Sequence, residues 1–538
     1  MSAQRGQRQT SRRREQNGSP ASFLLRDWQR KVERLARENE ELRRLVADRD
    51  RRIADAEKQA ADAQKHAADA QKRAEESEKK VADAEKQIEN LERQLAGRRQ
   101  NSTNSSKPPS SDGLAGESRE RGRKKKSKRK PGGQPGHAGA HRRLFPAERV
   151  NEIHTVLPTQ CGHCGIEFPQ QWDQVQTTDK IHRHQVVELP SIQAHIIEYQ
   201  CHQVICPECQ QHTRAAVPEE ARPQTGPQLT ALIAYLTVLC RMPRRVTERL
   251  LEQVLGIDIS LGSTQQCWEQ ASAAVEEPCS QLEQQLPHEA VLNLDDTGWR
   301  NNGMKRYIHS FVAASFVHYT VAVTRGSELL RQILGPVFAG ILCTDRFSAY
   351  LKYHKGNGQF CWAHLKRNIL GVLEFTKNTE VERFCRDALA LHARLFRLWH
   401  KFREGKIDRP TLISRALPIE KKFFLLAQRH LDCHDRQVHN LAMALFQHCP
   451  RWFGFINFEG VEPTNNRAER ALRIAVQWRK VCFGNRSASG EIATARLLTV
   501  TQTCKMQGRN ALVYLSQAIV AHRRRQPVPS LRTLPGKN

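Results

Sequence analysis

The sequence predicts a multidomain α+β chain, and three observations carry that prediction. An unbroken heptad pattern fills much of the first hundred residues. Two Cys-x-x-Cys pairs follow, about 40 residues apart. Beyond residue 290, short apolar runs and one helical stretch come in the order β-β-β-α-β, with aspartates on the first and fourth strands.

The 538 residues allow several domains and at least one large core. The net charge is +28, and it is concentrated. Residues 98–149 hold 15 Lys/Arg against 4 Asp/Glu, and the first 20 residues add five Arg against one Glu. Basic blocks of this kind suit a polyanionic partner, because neutralising phosphates releases counterions. The 15 cysteines are an odd number, and Cys240, Cys343 and Cys482 lie singly in apolar stretches. That fits a reducing compartment better than a disulfide scaffold. No run of about 18 apolar residues is present, so no membrane span is expected. The Arg-rich N-terminus lacks the apolar stretch of a secretory signal.

After a basic arm (1–22), heptads run from about Trp28 to Leu95. The a positions are Val32, Asn39, Val46, Ile53, Ala60, Ala67, Ala74, Val81, Ile88 and Leu95. The d positions include Trp28, Leu35, Leu42, Ala56, Ala63, Ala70, Ala84 and Leu91. So narrow an apolar seam on a charged helix needs a partner, and a coiled coil over 23–97 with dimerisation is the expectation. Asn39 at an a position favours one register and two strands. Gly97 is expected to stop the helix. A Ser/Pro/Gly/Lys linker (98–150) follows; it reads as a flexible basic strap or a simple tether. Lys124, Lys125, Lys126, Lys128, Arg129 and Lys130 are its candidate DNA-binding residues.

Cys161, Cys164, Cys206 and Cys209 can supply four thiolates to a structural Zn2+ in a zinc-ribbon-like module (151–215), the intervening residues 185–199 reading as a short β-ribbon. Cys201 and His202 are rival ligands without the paired spacing. A helical region follows (216–288), with helices expected at Leu229–Cys240, Arg244–Leu255 and Ser263–Val275 and a capping box at Ser263 and Gln266. It resembles a helix-turn-helix; an ordinary helical subdomain is the alternative.

Strands are expected at 291–297, Lys305–Ala313, Val317–Val323 and 340–345, with a helix at about 327–334. A right-handed crossover can set the fourth strand parallel beside the first. Asp295 and Asp345 then become neighbours, as in ribonuclease H-like nucleases. Two such carboxylates repel unless a cation joins them, and oxygen-only ligands point to Mg2+ or Mn2+. Strand alternation lets only one of Asp295 and Asp296 face that site. Glu469 has a local reading too, capped by Asn466 or paired with Arg473. Residues 364–450 show no clear strand.

These motifs together resemble a bacterial DDE-type transposase of the family named for insertion sequence 66. The resemblance runs through Asn104-Ser105-Ser106-Lys107-Pro108-Pro109-Ser110-Ser111-Asp112, Gly132-Gly133-Gln134-Pro135-Gly136-His137 and the cysteine pairs. It continues through Leu294-Asp295-Asp296-Thr297-Gly298-Trp299, Thr344-Asp345-Arg346-Phe347-Ser348-Ala349-Tyr350 and Cys361-Trp362-Ala363-His364-Leu365-Lys366-Arg367. It ends with Asn465-Asn466-Arg467-Ala468-Glu469-Arg470-Ala471-Leu472-Arg473. The family often has Glu where this chain has Asp296. The resemblance implies Asp295, Asp345 and Glu469 as catalytic and Mg2+-binding residues. They would stand in a ribonuclease H-like α/β core (289–365 and 461–520) split by a helical insertion (366–460), with a basic tail (521–538).

The activity so implied is metal-dependent cleavage of the element's ends and their joining to target DNA. A catalytically inactive DNA-binding or architectural relative is the alternative, and a purely structural coiled-coil protein ranks below it. His364, Arg367, Arg479 and Lys480 are further candidate DNA contacts, with fold roles as their alternative. The expected partners are double-stranded DNA (element terminal repeats and target), a second copy of the chain through the coiled coil, and helper proteins of the same element. No membrane partner is expected, and the expected location is cytoplasmic and nucleoid-associated.

Overall fold

A computed structural model describes residues 20–99, 142–178 and 180–532. The chain divides into two compact units, residues 1–99 and 100–538.

The first unit is one helix, α1 (Pro20–Arg99), of 80 residues. Proline opens it at the one place where its missing N–H costs nothing. The helix passes through Gly97, where a stop was expected. A glycine inside a helix costs only about 1 kcal/mol and ends one only when a cap closes over it. Among the described heptad side chains, Trp28, Val32, Leu35, Val46, Val81 and Ile88 are exposed.

In the second unit, strands β1 (Gln203–Ile205) and β2 (His212–Arg214) form an antiparallel hairpin between the ends of the second cysteine turn. The ribbon expected at 185–199 is absent: these residues form no ladder, and Val186, Leu189, Ile196 and Ile197 are exposed. With these apolar side chains facing solvent, alternation alone does not make a strand.

Four helices come next: α2 (Pro227–Val238), α3 (Arg244–Leu255), α4 (Leu261–Ala274) and α5 (Glu276–Gln285). The cap of α4 is Ser260, whose side chain accepts from the Ser263 N–H, so the cap lies three residues before the one expected. Ala231, Ala234, Trp268, Ala271 and Leu282 of these helices belong to the same core as the sheet that follows, so they back the sheet directly.

That sheet has five strands: β3 (Val291–Asn301), β4 (Met304–Val312), β5 (Val317–Ala322), β6 (Ile341–Thr344) and β7 (Gly358–Phe360). Their order is β5-β4-β3-β6-β7. The first three run antiparallel, and β6 and β7 run parallel to β3. Strand β3 outruns its expected end because Asn302 and Gly303, both at positive φ, make a two-residue hairpin turn into β4. Between β5 and β6 lies α6 (Ser327–Leu334), and α7 (Ser348–Tyr353) follows β6.

Between β7 and the last part of the sheet core stand α8 (Trp362–Phe375), α9 (Thr379–Arg403), α10 (Arg409–Gln428), α11 (Arg436–Gln447), α12 (Cys449–Trp452) and α13 (Gly454–Asn457). They form a core of their own around Trp362, which packs on Trp452, Phe423 and Phe453. The chain then returns to the sheet through α14 (Asn466–Cys482), α15 (Ala488–Met506) and α16 (Ala511–Arg523).

Helix α15 closes the edge of the sheet. Thr499 Oγ1 accepts from the Tyr319 N–H at 3.0 Å and Thr503 Oγ1 from the Val317 N–H at 3.1 Å, so threonines stand in for the missing neighbour of β5. Part of the expected basic tail is packed rather than loose. Leu531 is buried, Gln507 donates to its carbonyl at 2.7 Å, and Tyr514 donates to the Pro529 carbonyl at 2.7 Å.

Candidate active site

Strand β3 sits at the centre of the sheet, and its register with β6 fixes the site. Val291 pairs with Ile341 and Asn293 with Cys343, a constant offset of fifty. Continued two residues further, that offset sets Asp295 level with Asp345 where the parallel strands end. The register therefore places the two residues side by side at the C-terminal end of β6, the part of an open α/β sheet where ligands bind.

Electrostatics records the same proximity. The Asp295 carboxyl lies well above its ordinary pKa, first because it is set deep in protein and next because Asp345, Asp296 and Glu469 repel its charge. Asp345 is raised too, by burial and then by Asp296, against the Phe347 N–H that donates to its Oδ1 at 2.9 Å. Both residues keep some accessible surface, as a group that must meet a ligand requires. Oxygen donors whose charges repel in a low-dielectric crevice suit a hard divalent cation.

Asp296 has a different task. Arg325 Nε lies 2.6 Å from its Oδ2, and the Tyr350 hydroxyl donates to its Oδ1 at 3.0 Å. The Arg325 guanidinium also lies 4.0 Å from the Phe347 ring centre. Asp296 is thus held by side-chain partners, whereas the Asp295 carboxylate accepts from the Asp296 N–H at 2.9 Å. Neither Arg325 nor Tyr350 carried a role in the sequence reading, and an arginine before a helix gives no sign that it will reach back to a strand thirty residues away.

Glu469 comes from the first turn of α14. The helix starts at Asn466, with Asn465 in the cap position, so the expected Asn466–Glu469 box does not form. Buried Asn465 ties the helix to β3 instead. It donates to the Leu294 carbonyl at 2.7 Å and accepts from Asn293 Nδ2 at 3.0 Å. Its own N–H points at Cys361 Sγ, 3.2 Å away. Glu469 turns toward α8 rather than down its own helix to Arg473. Arg367 Nη2 lies 3.4 Å and His364 Nδ1 3.6 Å from Oε1. The His364 pKa falls to about 4, through burial and then the charges of Arg367 and Arg346. Both side chains thus lie against the Glu469 carboxylate in this structure.

Arg479 is likewise spent on the fold, donating to the Gly298 carbonyl and, at 3.3 Å, to Thr297 Oγ1. Lys480 lies in the last turn of α14. Beyond that turn Asn485 pins the chain to the β3–β4 hairpin, accepting from Trp299 Nε1 at 2.6 Å and donating to Gly490 and Thr494. Gly484 lets the two backbones meet there: its φ is +117°, and a Cβ would fall 2.2 Å from the Arg300 carbonyl oxygen. Lys124, Lys125, Lys126, Lys128, Arg129 and Lys130 lie outside the described residues.

The two cysteine pairs each form a tight turn. The Cys161 N–H donates to Ile166 and the Gly165 N–H to Cys161; the Cys206 N–H donates to Gln211 and the Gln210 N–H to Cys206. Backbone N–H groups of Cys164 and His163 lower the Cys161 thiol, and those of Cys209 and Glu208 lower Cys206. Among the described residues, ligand atoms gather within 4.8 Å of one another at Cys361, His364 and Glu469; neither the two cysteine turns nor Asp295, Asp345 and Glu469 join into such a group.

A family model described as "Transposase IS66 family" matches residues 222–492, half of the chain, spanning all three acids. A second, described as a family of unknown function (DUF6444), matches residues 30–143. The chain is also similar to the "Uncharacterized protein y4qI" of Sinorhizobium fredii (strain NBRC 101917 / NGR234), 24% identical over 237 residues. That match covers 40% of this chain and 42% of the relative, so the chain spans less than half of that protein's length.

Proposed function

Because the chain belongs to the IS66 family of transposases, we propose that it cuts the ends of its insertion sequence and joins them to target DNA by DDE-type phosphoryl transfer on a ribonuclease H-like core. The observation that supports this reading is electrostatic: the Asp295 carboxyl feels the charges of both Asp345 and Glu469, and the β3–β6 register sets Asp295 beside Asp345. The five-strand order, with three antiparallel strands followed by two parallel ones, supports the ribonuclease H-like assignment.

Asp295, Asp345 and Glu469 would hold Mg2+ or Mn2+ through carboxylate oxygens. When bound, such ions activate an attacking oxygen and stabilise a leaving one. The protein's own part is positional. Strands β3 and β6 hold the aspartates level. Asn465 fixes the start of α14 against β3, while Arg367 and His364 aim Glu469. Arg325 and Tyr350 keep Asp296 out of the ligand set. No side-chain nucleophile is required.

Structural Zn2+ on Cys161, Cys164, Cys206 and Cys209 is supported by the two turns and their inward N–H groups. Double-stranded DNA is the partner the family implies, and the basic segment 98–149 suits its backbone. The exposed heptad side chains of α1 support a homodimer that brings two DNA ends together. No helix among the described residues is long and apolar enough to cross a membrane.

The test is strand cleavage on DNA carrying the element's own ends. Asp295→Asn, Asp345→Asn and Glu469→Gln should each lower Mg2+-dependent cleavage by about 10³-fold or more while DNA binding persists. A variant that still cleaves normally removes its residue from the set. Wild-type protein that binds these ends but never nicks them would favour the architectural alternative.

A further inference from the structure

Cys361 has no part in the three-acid arrangement, yet its position is that of a ligand. It caps the N-terminus of α8, and His364 stands one turn on along the same face. Glu469 reaches across from α14, with 3.6 Å between its Oε1 and His364 Nδ1. One ligand atom from each of the three lies within 4.8 Å of the others. A tetrahedral ion with bonds of about 2.0–2.3 Å needs ligand atoms roughly 3.4–3.8 Å apart, so closure takes about 1.4 Å of movement or less. The Asn465 N–H donates to the buried sulfur at 3.2 Å, while burial holds the thiol up at about 11, so an ion must displace its proton.

The donor set differs in kind from the aspartate pair. Sulfur, imidazole and carboxylate together select a borderline-soft ion such as Zn2+ over Mg2+, and three protein ligands leave one position for water. The set is also electrically suited, since a thiolate and a carboxylate balance a divalent charge. Arg367 can stay on the outer side of the carboxylate as its hydrogen-bonding partner.

We propose that Cys361, His364 and Glu469 form a second metal site, specific for zinc-class ions, whose occupation holds Glu469 toward α8 and away from Asp295 and Asp345. Binding would release the Cys361 thiol proton to solvent. Zinc would then silence the enzyme by withdrawing one acid. Ion binding stands on the three side chains alone; the silencing rests on the three-acid reading above.

The experiment uses the full chain, stripped of metal and titrated with Co2+. Wild type should bind one more thiolate-ligated Co2+ than Cys361→Ser or His364→Ala, seen in sulfur-to-cobalt charge-transfer absorption above the background of the other cysteine sites. Serine keeps an acceptor for the Asn465 N–H, so that variant should retain its fold. If it does not, 113Cd NMR of wild type reads the site directly, through a one-sulfur resonance apart from any four-sulfur resonance. In parallel, Zn2+ should inhibit Mg2+-dependent cleavage by wild type, and Cys361→Ser should need at least about tenfold more Zn2+. Identical Co2+ titrations in wild type and variants, or the absence of a one-sulfur 113Cd signal, would overturn the site. A Co2+ difference without any cleavage in wild type would leave the site standing and refute the transposase chemistry. A Co2+ difference with equal zinc sensitivity would refute the silencing.

Discussion

Asn465 joins the helix that carries Glu469 to the strand that carries Asp295, and Asn465→Ala is the perturbation that isolates this joint. The side chain is 2% exposed and makes two bonds, to the Leu294 carbonyl at 2.7 Å and from Asn293 Nδ2 at 3.0 Å. Truncation leaves an acceptor and a donor buried without these partners, at about 1–3 kcal/mol each, so a loss of roughly 2–6 kcal/mol is expected. Asn465→Asp should be no milder: it keeps an acceptor for Asn293 but sets a carboxylate oxygen against the Leu294 carbonyl. Asn293→Ala breaks only one of the bonds and should cost less. The double variant should cost less than the sum of the singles, because both lose the same contact. Urea unfolding followed by tryptophan emission reads this, since Trp299 and Trp478 share the core. Cleavage should fall by about 10²-fold under conditions where the variant is still folded, because a shift of about 1 Å in a catalytic group has that effect. Stability within about 0.5 kcal/mol of wild type would refute the energetic argument. A destabilised variant with unchanged cleavage would refute the claim that Asn465 positions Glu469.

The Arg325–Asp296 pair should respond asymmetrically. Arg325→Ala strands a buried carboxylate and should cost about 3–5 kcal/mol, whereas Asp296→Asn leaves a partly exposed guanidinium and keeps an acceptor for Tyr350, so its thermal shift should be the smaller. Raised carboxyls at Asp295 and Asp345 mean that the metal-free fold binds more protons than the unfolded chain just above the ordinary aspartate range. Stability from these groups is therefore present at low pH and lost as pH rises through their folded pKa values. His318, lowered to about 4 by burial, and His364 act in the opposite sense below neutrality, so the comparison is wild type minus Asp295→Asn in melting temperature against pH. A difference that falls as pH rises without Mg2+ and flattens with it is expected; parallel curves would contradict the repulsion. Removing residues 23–97 should lower the mass in sedimentation equilibrium from dimer to monomer, and an unchanged mass would place the interface elsewhere.

What could be read from the sequence divides along physical lines. The strands at 291–297, 305–313, 317–323 and 340–345 and the helix at 327–334 were legible, because a buried sheet leaves apolar runs that depend on no distant partner. The full length of β3 depended on the Asn302–Gly303 turn, a local signal that apolar runs alone do not contain. The β-ribbon at 185–199 failed for the opposite reason: its alternation was present, but packing was not. At the candidate site, the three acids stood out as carboxylates closing apolar runs and opening a helix. Asn465, Arg325, Tyr350 and Cys361 did not, since their roles arise only when segments far apart in the chain meet. Arg479 shows the same limit from the other side, a cation whose target is a backbone carbonyl of β3.

The long first helix also constrains how this chain can vary in length. At 1.5 Å per residue, 80 residues make a rod of roughly 120 Å. Each residue turns it by about 100°, so losing seven residues shortens the rod by about 10 Å and nearly preserves the line of Val32, Leu35, Val46 and Val81. Losing five would swing everything beyond the cut about 140° around the axis and break that line in two. Insertions and deletions in this segment should therefore survive in steps of whole heptads, and a natural variant off that count would carry a compensating change elsewhere in the rod.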